Sequence, residues 1–276
     1  MGDTCAKLTD ESMELKDFYK KHDPVYGNVE SVLHGKERFI NKNKILKVRE
    51  IKYDDGSIYT GETLDGLKEG IGCLQLDNGE KYIGQWKFDK ADGDGKLFKP
   101  NGIIHIGNFK NGSLSGKGKK IFPDGSIILG TFEKGHEVGK AEKRWSNDAK
   151  YIGEIKNDNL DGKGVLEWEN VLRYEGDWEQ NMMHGRGKMT LPDGKIYEGE
   201  FKYGEIMGKG TLTWKSGKKY EGEFKFGKRE GEGVLTFPDG SYYDGMWKNN
   251  KKHGKGIIVK GNSTRKGEWQ NGKLKP

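Results

Sequence analysis

Residues 220–243 read YEGEFKFGKREGEGVLTFPDGSYY, and this stretch decides the fold. It opens with Tyr220-Glu221-Gly222-Glu223-Phe224, passes Gly227, reaches Gly231 and Gly233, and closes at Pro238-Asp239-Gly240 before Tyr243 begins the pattern again. Gly227 and the Asp-Gly pair are turn residues that tolerate positive φ. Between the turns, Tyr220, Gly222 and Phe224 share one face of a strand, and Gly231, Gly233, Leu235 and Phe237 share one face of the next. The unit is a β-hairpin.

The pattern extends in both directions at a fixed period. Tyr59, Tyr82, His105, Ile128, Tyr151, Tyr174, Tyr197, Tyr220 and Tyr243 follow one another at 23-residue intervals, and a tenth copy at Arg265 follows after 22. Taking the tyrosine as position 1, position 3 is Gly in every copy, and position 5 is Trp or Phe except at Thr63 and Ile155. Positions 12 and 14 are a Gly-x-Gly pair, broken only at Gly139/Ala141, and position 8 is Gly, Asp or Asn. The expected register sets 1 opposite 16, 3 opposite 14 and 5 opposite 12 within a hairpin. A type I turn with a Gly bulge at Asp-Gly then sets 16 opposite position 1 of the next copy. Straight columns result, and the Gly column leaves space for rings to fold over the backbone. At about 10 Å per hairpin, the array is expected to be an elongated single-layer rod of roughly 90–100 Å, stabilised by neighbour stacking because a lone hairpin is marginal.

Composition agrees with a thin repeat structure. Hydrophobic residues are 32% and charged residues 33%, a poor supply for a thick core, and Gly is 44 of 276. The 12 Tyr, 11 Phe and 7 Trp are too many aromatics for a chain that never packs. The net charge of +6 is spread along the chain without the clustered basic face of a nucleic-acid protein. Two distant cysteines, Cys5 and Cys73, suggest no disulfide framework, and no apolar run approaches a membrane span or signal peptide. The expectation is a soluble, cytoplasmic protein.

The repeated Tyr-x-Gly-x-Trp, turn and Gly-x-Gly resemble the MORN repeat (membrane occupation and recognition nexus) over about residues 54–274. The resemblance implies an all-β antiparallel array of about ten stacked hairpins. It implies function more loosely: the family includes ciliary and axonemal components, membrane–cytoskeleton scaffolds, myosin-binding adaptors, and extensions on methyltransferases and lipid kinases. His105, Ile128, Ala141 and Ile155 depart from the motif, marking copies that twist differently or seat a partner.

Two regions follow from this reading: an N-terminal extension, 1–47, and the array, 48–276. Thr9 or Asp10 is expected to cap a short helix through about Lys21, with Leu15, Phe18 and Tyr19 on one side and Asp23-Pro24 at its end. The segment is expected to cover the first sheet edge, with a partner-docking arm or disorder as the alternatives. Ile51 and Tyr53 fall at positions 16 and 18 of an incomplete copy, predicting a starting strand at Val48–Tyr53. The stop at Pro276 is expected to leave no room for an appended catalytic domain.

Features that suggest chemistry read better as hairpin grammar. Gly204 to Thr211 imitates a phosphate loop but has one spacer too few, no Ser or Thr for magnesium and no following helix. His184 and His253 share position 11 with no constellation to complete a metal site, and no Ser, Cys or His is placed as an activated nucleophile. No catalytic residue, cofactor or metal is therefore expected. Lys117, Lys140, Lys163, Arg186, Lys209 and Lys255 form a basic column at position 13 that could meet anionic lipid. The expected register instead pairs Glu154–Lys163, Asp177–Arg186 and Glu200–Lys209 as exposed ion pairs. Met1-Gly2-Asp3-Thr4-Cys5-Ala6 approaches an acylation signal at Gly2 and Cys5, but Ala6 replaces the required Ser or Thr.

A curled single layer cannot cover every ring. The Trp/Phe column reads mainly as core, and the parts of Trp178, Phe201, Phe224 and Trp247 left uncovered are the expected partner-binding groove, fitting a helix or extended segment. The resulting expectation is a non-catalytic scaffold that binds and spaces proteins in a cytoskeletal assembly, with a ciliary axoneme as the setting the resemblance suggests. Nucleic acid is not expected as a partner. The alternatives are a peripheral module on anionic phospholipid and a regulatory subunit of an enzyme on another chain.

Overall fold

The computed structural model describes residues 37–41 and 44–276. The predicted helix from Thr9 or Asp10 to Lys21 and the acylation motif at Gly2 and Cys5 lie outside the described residues. Among the described residues there are twenty-two strands and no helix. The chain divides into two compact units, residues 1–138 and 139–276, within the strand His136–Arg144. In each unit the strands form one open layer, every strand antiparallel to its neighbour in sequence.

A regular copy is a seven-residue strand, a tight turn and a nine-residue strand, as in Lys219–Lys225 followed by Lys228–Thr236. The turn residues at positions 7 and 8 both have positive φ: 49° at Phe226 and 69° at Gly227, 47° at Asn249 and 67° at Asn250. This is the primed turn whose twist matches a hairpin. The second turn is the expected type I turn with a left-handed glycine: Phe237 N–H donates to Ser241 O, Gly240 N–H donates to Phe237 O, and Gly240 has φ 80°. The tenth copy starts one residue early because its turn shrinks to two residues, with Lys260 opposite Ser263.

The register follows the expectation at two of three rungs. Tyr220 faces Leu235 and Gly222 faces Gly233, so 1 opposes 16 and 3 opposes 14. Leu235 then faces Tyr243, carrying the column into the next copy. The third rung differs: position 5 faces position 10, as in Phe224–Arg229, across a bulge. The bulge forms because Gly231 turns into the left-handed region at φ 68°, pushing the middle of the strand outward. The acid at position 4 fills the resulting gap. Glu62 Oε2 accepts from Ile71 N–H at 2.7 Å, and Asp177 Oδ2 accepts from Arg186 N–H at 3.0 Å.

The bulge removes the predicted ion pairs within a hairpin and leaves those between copies. Position 13 now faces position 4 of the following copy, so Lys163 opposes Asp177, Arg186 opposes Glu200 and Lys209 opposes Glu223. Lys163 Nζ reaches Asp177 Oδ1 at 2.6 Å. The predicted partners, Glu154–Lys163 and Asp177–Arg186, meet through backbone N–H groups instead. At the N-terminal end of the array, Ile51 faces Tyr59 as a position 16 should. Its strand, Lys44–Lys52, begins at position 9 like every other second strand rather than at Val48, and it pairs with a further strand, Glu37–Asn41.

Candidate interaction site

Each position-1 tyrosine lies along its own strand over the Gly pair. A Cβ on Gly222 would sit 2.6 Å from the Tyr220 hydroxyl oxygen, so only glycine leaves room for the ring. The hydroxyl donates to the position-4 carbonyl, at 3.0 Å from Tyr220 to Glu223 O and 2.7 Å from Tyr59 to Glu62 O. The position-5 ring meets two tyrosines edge-on. In the second unit the chain Tyr151, Trp178, Tyr174, Phe201, Tyr197, Phe224, Tyr220, Trp247, Tyr243, Trp269 is continuous, with centroids 4.9–5.4 Å apart. Three indole N–H groups are satisfied too: Trp86, Trp178 and Trp247 Nε1 donate to Gly72 O, Gly164 O and Gly233 O at 3.0, 3.3 and 2.9 Å. Edge-to-face geometry is the favoured aromatic arrangement and adds about 0.5–1.5 kcal/mol per pair beyond burial.

The rings predicted to line a groove lie inside this stack. Trp178, Phe201, Phe224 and Trp247 are only 6%, 3%, 5% and 4% exposed. The bulge is the cause. By setting position 10 beside position 5, it lays Met183, Ile206, Arg229 and Lys252 against the four rings. Arg229 carries its guanidinium 4.3 Å from the centre of Trp247 and donates to Asn250 O at 2.8 Å. Burial raises the tyrosines' pKa values as well; Tyr197 and Tyr243 are pushed up to about 12.

What remains open is the edge formed by the tight turns. Phe88, Tyr203 and Phe226 occupy position 7 and are 64%, 65% and 64% exposed. Their φ values are 49°, 54° and 49°, a region that costs a bulky side chain roughly 1–2 kcal/mol. Four other copies place Asn there, as at Asn111, Asn157 and Asn249, which tolerates the same geometry, while Asp65, Lys134 and Gln180 adopt it in the rest. Beside Tyr203, a hollow of about 380 Å³ is bordered by His184, Arg186, Glu200, Phe201, Lys202 and Met207. The His184 ring is 6.1 Å from that of Tyr203, and Met207 Sδ accepts from Phe226 N–H at 3.2 Å. Of the four predicted residues, the hollow brings Phe201 to this edge; Trp178, Phe224 and Trp247 are not among its borders. The exposed aromatics were missed in the sequence although their signal was there: a ring at a turn position where the other copies carry Asn, Asp, Lys or Gln.

The MORN-repeat sequence pattern matches eight copies: residues 59–81, 82–104, 105–127, 151–170, 174–196, 197–219, 220–242 and 243–265. The chain belongs to the MORN-repeat family. The match passes over the copy that begins at Ile128, where both the tyrosine and the second glycine of the Gly-x-Gly pair are replaced. No curated protein matches the chain in sequence. Among solved structures, the array is similar to the TCP domain of SAS-4 (dCPAP) of Drosophila melanogaster, solved in complex with a proline-rich motif of Ana2 (dSTIL). That likeness has 14% identity over 71% of this chain and 87% of that chain, with a TM-score of 0.32. A point mutant of the TCP10 domain of Danio rerio CPAP is similar at 13% identity over 80% and 93%, with a TM-score of 0.29. At such scores neither likeness carries an argument.

Elsewhere the MORN strands explain the remaining sequence features. The segment that imitates a phosphate loop is the turn at Tyr203-Gly204 and the strand Glu205–Thr213. Among the described residues, no group of three or more His, Cys, Asp or Glu could hold a metal, and no helix is long and apolar enough to cross a membrane. In the position-13 column, Lys163 is held by Asp177. Burial pushes the Asp177 carboxyl up, but hydrogen bonds from the Lys163 ammonium and Arg186 N–H leave it below its ordinary value.

Proposed function

We propose that this MORN array is a non-catalytic scaffold that binds and spaces proteins in a cytoskeletal assembly, with a ciliary axoneme as its setting. The observation that carries the reading is the division of labour among the aromatics. Those at positions 1 and 5 are buried and lock neighbouring hairpins together, whereas Phe88, Tyr203 and Phe226 are held outward at a conformational cost. Stacked hairpins present such groups at repeat distances, so modest contacts add along one partner. The seat proposed for a protein segment is the edge over Phe201, with Tyr203 and Phe226 beside it. Trp178, Phe224 and Trp247 support it from within the ring stack. Phe88 offers a similar contact in the first unit.

Detergent fractionation of cells expressing the tagged chain from its own promoter tests the reading. Retention in the cytoskeletal pellet is expected, with Tyr203→Asn and Phe226→Asn together moving most of the protein to the soluble fraction. Release of the unmodified chain with membrane lipids overturns the scaffold and favours attachment through the position-13 column. Stoichiometric recovery with a kinase or methyltransferase instead identifies a regulatory subunit.

A further inference from the structure

Positions 6 and 9 face each other across the mouth of each tight turn. In the copies that begin at Tyr220 and Tyr243 both are lysines: Lys225 faces Lys228, and Lys248 faces Lys251. Like charges directly opposite one another are destabilising. All four lysines are exposed, and among the described residues none of them takes part in an ion pair. The same arrangement recurs in the first unit, where Lys87 faces Lys90. Both phenylalanines at position 7, Phe88 and Phe226, are therefore bracketed by a pair of facing lysines.

The charge in the second unit has a defined extent. The two earlier turns read Lys156-Asn157-Asp158-Asn159 and Glu179-Gln180-Asn181-Met182, without a lysine pair. The next, Lys202-Tyr203-Gly204-Glu205, brings in the first exposed ring and sets Lys202 opposite Glu205. The two after it carry the lysine pairs, with Phe226 between the first of them. Neighbouring tight turns are two strand spacings apart, about 10 Å. An extended chain covers that step with about three residues. A cationic line of three turns suits a peptide segment better than a membrane, which would meet the turns at Asp158 and Glu179 as well.

We infer that the edge from Tyr203 to Lys251 takes an extended acidic segment of a protein partner, with acids and apolar side chains recurring every third residue. Its carboxylates lie between Lys225 and Lys228 and between Lys248 and Lys251, and an apolar side chain rests on the Phe226 ring. A carboxylate between two facing lysines replaces their repulsion by attraction, so charge alone selects the partner's sign. The inference rests on the scaffold reading for the place of the seat and adds the chemistry of its occupant.

Fluorescence polarisation with the full-length chain and a labelled peptide of Glu-Glu-Leu triplets, about nine residues long, tests it. Binding is expected, weakening as salt is raised. Four exposed charge contacts together are worth about tenfold in affinity. Lys225→Gln, Lys228→Gln, Lys248→Gln and Lys251→Gln combined should therefore weaken binding about tenfold while the near-ultraviolet signal of the tryptophan stack is kept. A Gln-Gln-Leu peptide on the unmodified chain should lose as much, which checks the charge without altering the protein. Equal affinity for the two peptides, or full affinity in the lysine variant, overturns the inference. Capture by vesicles of phosphatidylserine and phosphatidylcholine with no peptide binding overturns it in favour of a lipid surface. Cell fractionation separates this inference from the reading beneath it. If Tyr203→Asn with Phe226→Asn leaves the cytoskeletal pellet and the lysine variant stays, the seat stands and its acidic occupant is overturned. If neither variant leaves the pellet, both are overturned.

Discussion

The copies from Tyr174 to Trp269 and those from His105 to Glu137 keep one strand register around different fillings. In the first region, every position-1 ring lies over its glycine pair and touches two position-5 rings. In the second, His105 and Ile128 stand at position 1 and no tyrosine covers the glycines. Yet Gly107 still faces Gly118 and Phe109 faces Leu114, the same 3–14 and 5–10 rungs. Leu114, 1% exposed, takes the vacated space: a Cβ on Gly118 would meet its Cδ1 at 3.0 Å. Lys120, at a position 16 that is often aliphatic elsewhere, forms a 2.8 Å ion pair with Glu137, both side chains being almost fully buried. Turns and bulges therefore hold the register, and the filling can be exchanged provided the volume and polar groups are satisfied.

The largest effect is expected where the filling is ionic. Glu137→Leu alone leaves the Lys120 ammonium buried without its carboxylate and should cost about 3–5 kcal/mol in urea unfolding. Adding Lys120→Leu restores an aliphatic column and should recover stability to within about 1 kcal/mol of the parent. A double variant as unstable as the single one would show that the irregular copies need the ion pair itself. Next, Gly233→Ala places a methyl group inside the Tyr220 ring and should cost about 3 kcal/mol. Gly118→Ala meets the Ile106 carbonyl at 2.9 Å and the mobile end of Leu114 at 3.0 Å, wider than the contacts at Gly233, so about half that loss is expected. Equal losses would mean that ring and leucine confine the backbone alike.

Alkali should separate the two fillings as well. An unfolded tyrosine loses its proton near pH 10, while Tyr197 and Tyr243 keep theirs to about 12 in the folded chain. The folded state thus binds more protons between these values, and stability should be constant below about pH 10 and fall as pH rises towards 12. Absorbance at 295 nm and circular dichroism followed together check this. Tyrosines that ionise below pH 11 with the sheet signal intact would refute it. The smallest effect concerns the exposed edge: Phe226→Asn should relieve left-handed strain and raise stability by less than about 1 kcal/mol. A loss of more than that would show the ring to be part of the packing rather than held outward for a partner.

The sequence alone carried most of the array. A 23-residue period, glycines at fixed places and alternation between turns specify antiparallel hairpins, because strand faces repeat every two residues and a one-residue slip would turn every ring outward. It also placed Ile51 opposite Tyr59 and assigned the Gly column to ring packing. Three features were decided only by tertiary structure. The 5–10 rung follows from left-handed backbone at Gly70, Gly208 and Gly231, which a Gly-x-Gly pair permits but does not announce. The acids at position 4 read as ion-pair partners until the bulge exposed N–H groups for them to bind. Finally, whether the Trp/Phe column is groove or core depends on which side chain lies across from it, and that neighbour is set by the bulge, not by any local pattern.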